Sequence, residues 1–306
     1  MEGSGRTGAG APWIILGIVL ARLLPKKLGY WIIRQGARFA RRRNLVLFAL
    51  LRENLARVRP ELENEALDSL AEQAVLELGK TYFDMFHHSR KALLGERLLT
   101  RDESEWARAR AVFESPRGCI VVGAHIGNYD LAAQWFVANG YELQALSLAE
   151  PGRGTRVVNR VRKDRGMIVT PISITSLREA VRRLRAGGVI ITGVDRPANY
   201  DDPPVSFFAE PAPLPRGHIR LALQTDACVM VAYCARQPDG KYRLRIKSPI
   251  EMERTGDREM DIERNTRRVL SQIEECIREA PEHWAMLHPI WRKPGEASYH
   301  PLSRAR

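Results

Sequence analysis

The chain has 306 residues, of which 44% are hydrophobic and 27% charged, so it can fold around a sizeable core and wholesale disorder is excluded. Its net charge is +12 at pH 7, and most of this excess lies in one segment. Between positions 3 and 52 there are ten basic residues and no acidic one: Arg6, Arg22, Lys26, Lys27, Arg34, Arg38, Arg41, Arg42, Arg43 and Arg52. The four cysteines form no C-x-x-C pair and no zinc-like pattern with histidines, so we expect no metal site, no disulfide and a reducing compartment.

The first predicted elements are apolar runs interrupted by basic residues. Residues 13–24 read WIILGIVLARLL, a run of 12 that is short of the roughly 20 residues that a membrane-spanning helix needs. Pro25 and two lysines follow, then a second apolar stretch, LGYWII, and the basic cluster Arg41–Arg43. Helices of this kind lie in the interface of anionic membranes. We therefore predict that residues 1–60 form a membrane-associating helical segment, peripheral or with one short N-terminal anchor. A basic helical hairpin packed on its own domain is the alternative.

Residues 61–306 are predicted to form an α/β domain. Apolar residues recur at helical spacing from Leu67 to Leu78, and CIVVG at 119–123 is a short buried strand. Strand-like and helix-like runs then alternate: YDLAAQWFVANG, ELQALSLA, VVNRVRKDRG, MIVTPI, SLREAVRRLRAGG and VIITGV. A final helix is predicted at about 262–278. This alternation favours parallel βαβ units, so we expect a mostly parallel central sheet flanked by helices.

The candidate catalytic residues stand in the block VVGAHIGNYDLA. His125 follows the strand, Gly127 and Asn128 allow a tight turn, and Asp130 lies in the first turn of the next helix. A neutral imidazole can take the proton of a hydroxyl that attacks a thioester, and a carboxylate on its other nitrogen fixes the tautomer. We therefore predict that His125 is a general base paired with Asp130. A satisfied histidine beside a helix-capping aspartate is the structural alternative.

Further blocks stand in order along the chain. They are RENLARVRPEL, NRVRKDRG with an R-x-x-x-G pattern at Arg162 and Gly166, GVDRP with Asp195 and Arg196, FFAEPAPLPRGHIR, and PEHWAMLHPIW. With the His125 block they make the chain, over about residues 12–292, resemble the bacterial lipid A biosynthesis acyltransferases. That family lies within the glycerolipid acyltransferase superfamily, which is defined by the motif H-x-x-x-x-D/E.

The resemblance implies an O-acyltransferase that moves a fatty acyl group from an acyl carrier protein or coenzyme A thioester to a hydroxyl of a glycolipid. No bound cofactor or metal is expected. His125 resembles the family's general base and Asp130 its acidic partner. Positions that the resemblance places on the substrate side are Arg162, Asp195, Arg196, Phe207, Phe208 and Arg216. Arginines suit bidentate phosphate contacts and the phenylalanine pair suits the wall of an acyl-chain groove.

The acceptor stays open between two glycolipid types. Asp130 stands where many lipid A acyltransferases carry glutamate, and the tail WAMLHPIW is at least as similar to the phosphatidylinositol mannoside acyltransferases. A simple lysophospholipid is a further alternative. A basic non-enzymatic protein that binds membranes or nucleic acid is the alternative from another class. Aliphatic runs between the basic residues favour a bilayer, so we expect the cytoplasmic face of the inner membrane and no nucleic-acid partner.

Overall fold

The structure is a computed structural model that describes residues 10–87, 98–149 and 152–291. Its helices are α1 (Gly10–Leu23), α2 (Lys26–Arg42), α3 (Val46–Val58), α4 (Asn64–His87), α5 (Glu103–Phe113), α6 (Tyr129–Ala138), α7 (Arg153–Lys163), α8 (Ile174–Arg185), α9 (Gly217–Thr225) and α10 (Arg258–Glu279), followed by a 3₁₀ turn (Pro281–His283). Its strands are β1 (Leu99–Arg101), β2 (Cys119–Gly123), β3 (Leu143–Ser147), β4 (Ile168–Pro171), β5 (Val189–Gly193), β6 (Val205–Phe207), β7 (Glu210–Ala212), β8 (Cys228–Arg236) and β9 (Tyr242–Ile246).

Seven strands form the central sheet, in the order β1-β9-β8-β2-β5-β3-β4. Neighbouring strands are parallel throughout except for β8 and β9, which form an antiparallel pair. The middle strands are apolar on both faces because helices cover both sides of the sheet. The predicted α/β class, with a mostly parallel sheet flanked by helices, is confirmed. A separate hairpin is formed by β6 and β7.

The register of two central strands brings distant parts of the chain together. β2 pairs with β5 from Cys119 opposite Val189 to Gly123 opposite Gly193, so the carboxyl ends of the two strands are level. Residues that follow these ends share one edge of the sheet, which is the usual place for ligand sites in open α/β sheets. His125 and Asp195 each stand two residues beyond their strand.

The N-terminal helices pack on α4. Helices α1, α2 and α3 all contact it, although it follows the predicted domain boundary at residue 60, and that boundary stays a prediction. Helix α1 is only 14 residues long. Within the described ranges, no helix combines the length and apolarity that a membrane crossing requires. The last helix, α10, begins four residues earlier than predicted because Asp257 caps it, accepting hydrogen bonds from the backbone N–H groups of Glu259 and Met260.

Candidate active site

A tight turn joins β2 to α6 and carries His125. Gly127 has a φ of +59°, and a Cβ at this position would lie 2.1 Å from the carbonyl oxygen of Cys234, so only glycine fits. Asn128 caps α6, its Oδ1 accepting a hydrogen bond of 3.0 Å from the backbone N–H of Leu131. The glycine and the asparagine after the histidine are thus explained by the geometry of the turn.

The imidazole of His125 is paired with Asp195. Its Nδ1 lies 2.7 Å from Oδ1 of the carboxylate, and the backbone N–H of His125 donates to Oδ2 over 2.8 Å. A third donor, Nε1 of Trp284, reaches the same Oδ2 over 2.8 Å. The carboxylate is fully buried. Burial alone would raise the pKa of Asp195, but the charge and hydrogen bonds of His125 and the Trp284 hydrogen bond outweigh it and hold that pKa below its ordinary value.

This arrangement suits a general base. An ionised carboxylate at Nδ1 keeps the proton on that nitrogen and leaves Nε2 to accept another. The side chain of His125 is 29% exposed, so a substrate can reach the ring. The ring of Tyr129 lies edge-on to it, with 5.7 Å between centroids.

The structure places Asp130 against Arg162 and not against His125. Both oxygens of Asp130 accept hydrogen bonds from Arg162, at 2.5 Å from Nε and 3.1 Å from Nη2. The opposite side of the guanidinium donates to Oδ1 of Asn159 over 2.9 Å. Asp130 projects from the first turn of α6 toward α7, whereas His125 faces the end of β5. Across the part of the chain that the structure describes, the hydrogen bond of the His125 ring goes to Asp195. Any catalytic role of Asp130 stays a prediction.

Arg196 is the residue after Asp195, and its side chain lies beside the imidazole of His288. Its Nη1 lies 3.3 Å from Nε2 of His288. Burial lowers the pKa of the guanidinium, although the charge of Asp195 opposes this shift. No salt bridge joins Arg196 to a carboxylate within the described residues, so it is a half-buried cation beside the His125 dyad.

The two phenylalanines predicted on the substrate side lie in an aromatic cluster. Phe207 is fully buried and stacks on Trp291 with 5.7 Å between centroids, and its predicted place on the wall of an acyl groove stays a prediction. Phe208 packs beside it and against Trp284, the residue that holds Asp195. Their hairpin turn is formed by positive φ values at Phe208 and Ala209, as a two-residue turn between antiparallel strands requires.

Arg216 has a local structural role. Its Nη2 donates to the carbonyl oxygens of Pro203 and Pro204 over 3.1 and 3.0 Å, and so ties that loop to the start of α9. The residues that the sequence did not single out are Trp284 and His288. In the sequence they stand out only by their place in the block PEHWAMLHPIW. In the structure the indole N–H of Trp284 contacts Asp195, and the imidazole of His288 contacts Arg196.

Comparison with known proteins finds one family match and several relatives. The family model for bacterial lipid A biosynthesis acyltransferase matches residues 7–293. A phosphatidylinositol mannoside acyltransferase of Mycolicibacterium smegmatis is 25% identical over 282 residues, which are 89% of this chain and 88% of the relative. The protein of the same name from Mycobacterium tuberculosis is 24% identical over 251 residues, or 79% of this chain and 76% of the relative. The match to the family model extends over nearly the whole chain, so this protein is an acyltransferase that belongs to the bacterial lipid A biosynthesis acyltransferase family.

Proposed function

We propose that the protein transfers a fatty acyl group from a thioester donor, an acyl carrier protein or coenzyme A thioester, to a hydroxyl of a glycolipid. The observation that carries the proposal is the His125–Asp195 pair, in which Nδ1 is held 2.7 Å from a buried carboxylate. Nε2 of His125 takes the proton of the acceptor hydroxyl as its oxygen attacks the thioester carbon. The C–S bond then breaks, and the imidazolium returns the proton to the leaving thiolate. Asp195 stabilises the imidazolium between the two steps.

The acceptor is proposed to carry an anionic group beside the reacting hydroxyl. Arg196 is half-buried next to the dyad and forms no salt bridge with a carboxylate among the described residues. A phosphate can satisfy such a cation by charge-assisted hydrogen bonds. Two relatives are named for phosphatidylinositol mannoside, a phosphate-containing glycolipid, so this acceptor type ranks ahead of a lipid A-type acceptor and of a lysophospholipid.

Replacing Arg196 with glutamine is expected to raise the KM for the acceptor by about 10- to 100-fold, because charge-assisted hydrogen bonds contribute roughly 1.5–3 kcal/mol. The KM for the thioester donor should change little. Steady-state kinetics with each substrate varied in turn measures both constants. Arg220→Gln, on the exposed side of α9, is the matched control. An unchanged acceptor KM in Arg196→Gln would remove this residue from the acceptor site.

The membrane contact is proposed for one face of the N-terminal helices. Large apolar side chains stand exposed on α1 and α2: Leu16, Val19, Leu20, Leu23, Leu28, Trp31, Ile32 and Phe39. On each helix their spacing of three, four and seven residues places them on one side. Exposed basic residues border them on α2: Lys27, Arg34, Arg38 and Arg42. Apolar side chains can enter the acyl boundary of a bilayer while the basic ones meet anionic headgroups.

Trp31 offers a direct test of this face because its side chain is 58% exposed. Trp31→Glu is expected to weaken binding to vesicles of phosphatidylglycerol and phosphatidylcholine by at least about tenfold, since burial of a large side chain is worth roughly 1.5–3 kcal/mol. Met260→Glu is the control, because Met260 is 42% exposed on α10, outside the proposed face. Cosedimentation with vesicles gives the partition constants. Equal losses in the two variants would argue against a specific face.

The reaction itself is tested with purified protein on such vesicles. Palmitoyl-coenzyme A and a palmitoyl-acyl carrier protein are offered as donors, each with a phosphatidylinositol mannoside, a lipid A precursor or a lysophospholipid as acceptor. We expect one acyl mass to be added to the mannoside and no addition by His125→Ala. Transfer by His125→Ala at the wild-type rate would refute the proposed general base. Acylation of the lysophospholipid alone would replace the proposed acceptor.

A further inference from the structure

The turn that carries His125 is fixed on one side by the segment around the 3₁₀ turn. The backbone N–H of Gly127 donates to the carbonyl oxygen of His283 over 2.9 Å, and the carbonyl oxygen of His125 accepts from the backbone N–H of Ala285 over 2.8 Å. These two bonds hold the backbone that directly follows the imidazole-bearing residue. A shift of the segment around His283 would therefore move the imidazole.

The other side of the turn is fixed by the end of β8. The backbone N–H of Asn128 donates to the carbonyl oxygen of Cys234 over 2.8 Å, and Gly127 forms an isolated bridge with the same residue. Arg236, two residues further on, is the last residue of β8. The orientation of His125 thus depends on two separate segments, the end of β8 and the 3₁₀ turn.

Both segments meet one carboxylate, Glu77 of α4. Its oxygens accept from Nη2 and Nε of Arg236 over 2.6 and 2.8 Å, and from Nζ of Lys80 over 2.8 Å. Nδ1 of His283 lies 4.0 Å from the same carboxylate. All these side chains are largely buried. Without the charge of Glu77, two cations would remain close together in a region with little water, which is strongly unfavourable.

Helix α2 covers this group of charges. The ring of Tyr30 lies 5.5 Å from Nζ of Lys80 and 5.8 Å from the guanidinium carbon of Arg236. The hydroxyl of Tyr30 donates to Oδ2 of Asp84 over 2.6 Å, and Asp84 stands four residues beyond Lys80 on α4. The carboxylate of Glu77 is therefore enclosed between α2, α4 and the sheet.

We propose that Glu77 is a positioning residue for His125. It acts through Arg236 and the 3₁₀ turn and does not touch the reacting atoms. The inference rests on the proposed acyl transfer, in which the Nε2 position of His125 decides the rate. Loss of the negative charge at residue 77 loosens both supports of the turn, and the imidazole then samples orientations that are unproductive.

The test compares Glu77→Gln with Glu72→Gln. Glu72 lies on the same helix, its side chain is 26% exposed, and it forms a salt bridge with Arg41 of α2. In steady-state kinetics on anionic vesicles, with donor and acceptor varied in turn, Glu77→Gln is expected to lower kcat by about 10- to 100-fold with both KM values unchanged. Small misplacements of a catalytic group have effects of this size. Glu77→Asp, which keeps the charge, should recover part of the loss. Glu72→Gln should match the wild type.

Hydrogen exchange supplies a readout that does not depend on activity. The amides of Gly127 and Asn128 should exchange faster in Glu77→Gln, while those in the middle of β2 and β5 keep the wild-type rate. Wild-type kcat in Glu77→Gln would overturn the proposal, and so would faster exchange throughout the sheet, which indicates general destabilisation. If the wild type itself shows no acyl transfer, the proposed function fails, and the exchange experiment still decides whether Glu77 holds the turn.

Discussion

Asp195→Asn is expected to lower kcat for acyl transfer by about 10³- to 10⁴-fold while the protein stays folded and bound to vesicles. The carboxylate accepts hydrogen bonds from the ring and the backbone of His125 and from Trp284. An amide has one oxygen and one NH₂ group, so it favours the wrong tautomer of the imidazole and provides no negative charge for the imidazolium. Steady-state turnover with a thioester donor and the acceptor measures the effect.

Two further variants decide which acidic residue serves His125. Asp164→Asn changes an exposed aspartate that pairs with Arg160 and should leave turnover unchanged. Asp130→Asn provides the informative contrast. Near-normal turnover in Asp195→Asn, with a large loss in a stable Asp130→Asn protein, would restore the pairing expected from the H-x-x-x-x-D motif and contradict the geometry described above.

Asp130→Ala is expected to reduce the free energy of unfolding by about 3–5 kcal/mol, the usual effect of removing one partner of a buried ion pair. Burial alone would lower the pKa of Arg162, but the charge and hydrogen bonds of Asp130 raise it above its ordinary value. Without Asp130 this cation stays charged and largely buried, and among the described residues Asn159 is its remaining hydrogen-bond partner. Urea unfolding in detergent measures the loss.

The double variant Asp130→Ala, Arg162→Met is the control for this explanation. It removes the uncompensated charge together with its former partner, so it should recover a substantial part of the lost stability. A double variant that is as unstable as Asp130→Ala would show that the loss of stability comes from packing at α6 and not from the unpaired guanidinium of Arg162.

Local patterns in the sequence were sufficient to predict much of the fold. Each βαβ unit combines a short apolar run with a helix of recognisable spacing, as in CIVVG followed by YDLAAQWFVA, and such signals need no knowledge of distant residues. His125 was identifiable for the same reason. The glycine, asparagine and aspartate near it mark a strand, a turn and a helix start that are contiguous in the chain.

The partner of His125 depends on strand register and is therefore non-local. Asp195 is 70 residues away in sequence and meets His125 because β2 and β5 pair with Gly123 opposite Gly193. A weak signal was present, since G-A-H and G-V-D place both residues two positions after a strand-ending glycine. Which strands are neighbours cannot be deduced from either segment alone.

Buried polar residues were also beyond prediction from local patterns. Glu77 lies on a helix rich in charges, where a carboxylate usually faces solvent. Its burial follows from the packing of α2 and the 3₁₀ turn on α4 and from its ion pair with Arg236 at the end of β8. Phe207 was expected to line an acyl groove but is enclosed by Trp284 and Trp291, which come from the end of the chain. Both outcomes depend on contacts between segments far apart in sequence.

The most direct test of acyl transfer by His125 is mass spectrometry of membrane lipids from cells that make either the wild-type protein or His125→Ala, with phosphatidylinositol mannoside present as acceptor. We expect a glycolipid that gains one acyl mass in cells with the wild-type protein only, with equal amounts of both proteins in the membrane fraction. The same acylated glycolipid in cells with His125→Ala would contradict the account.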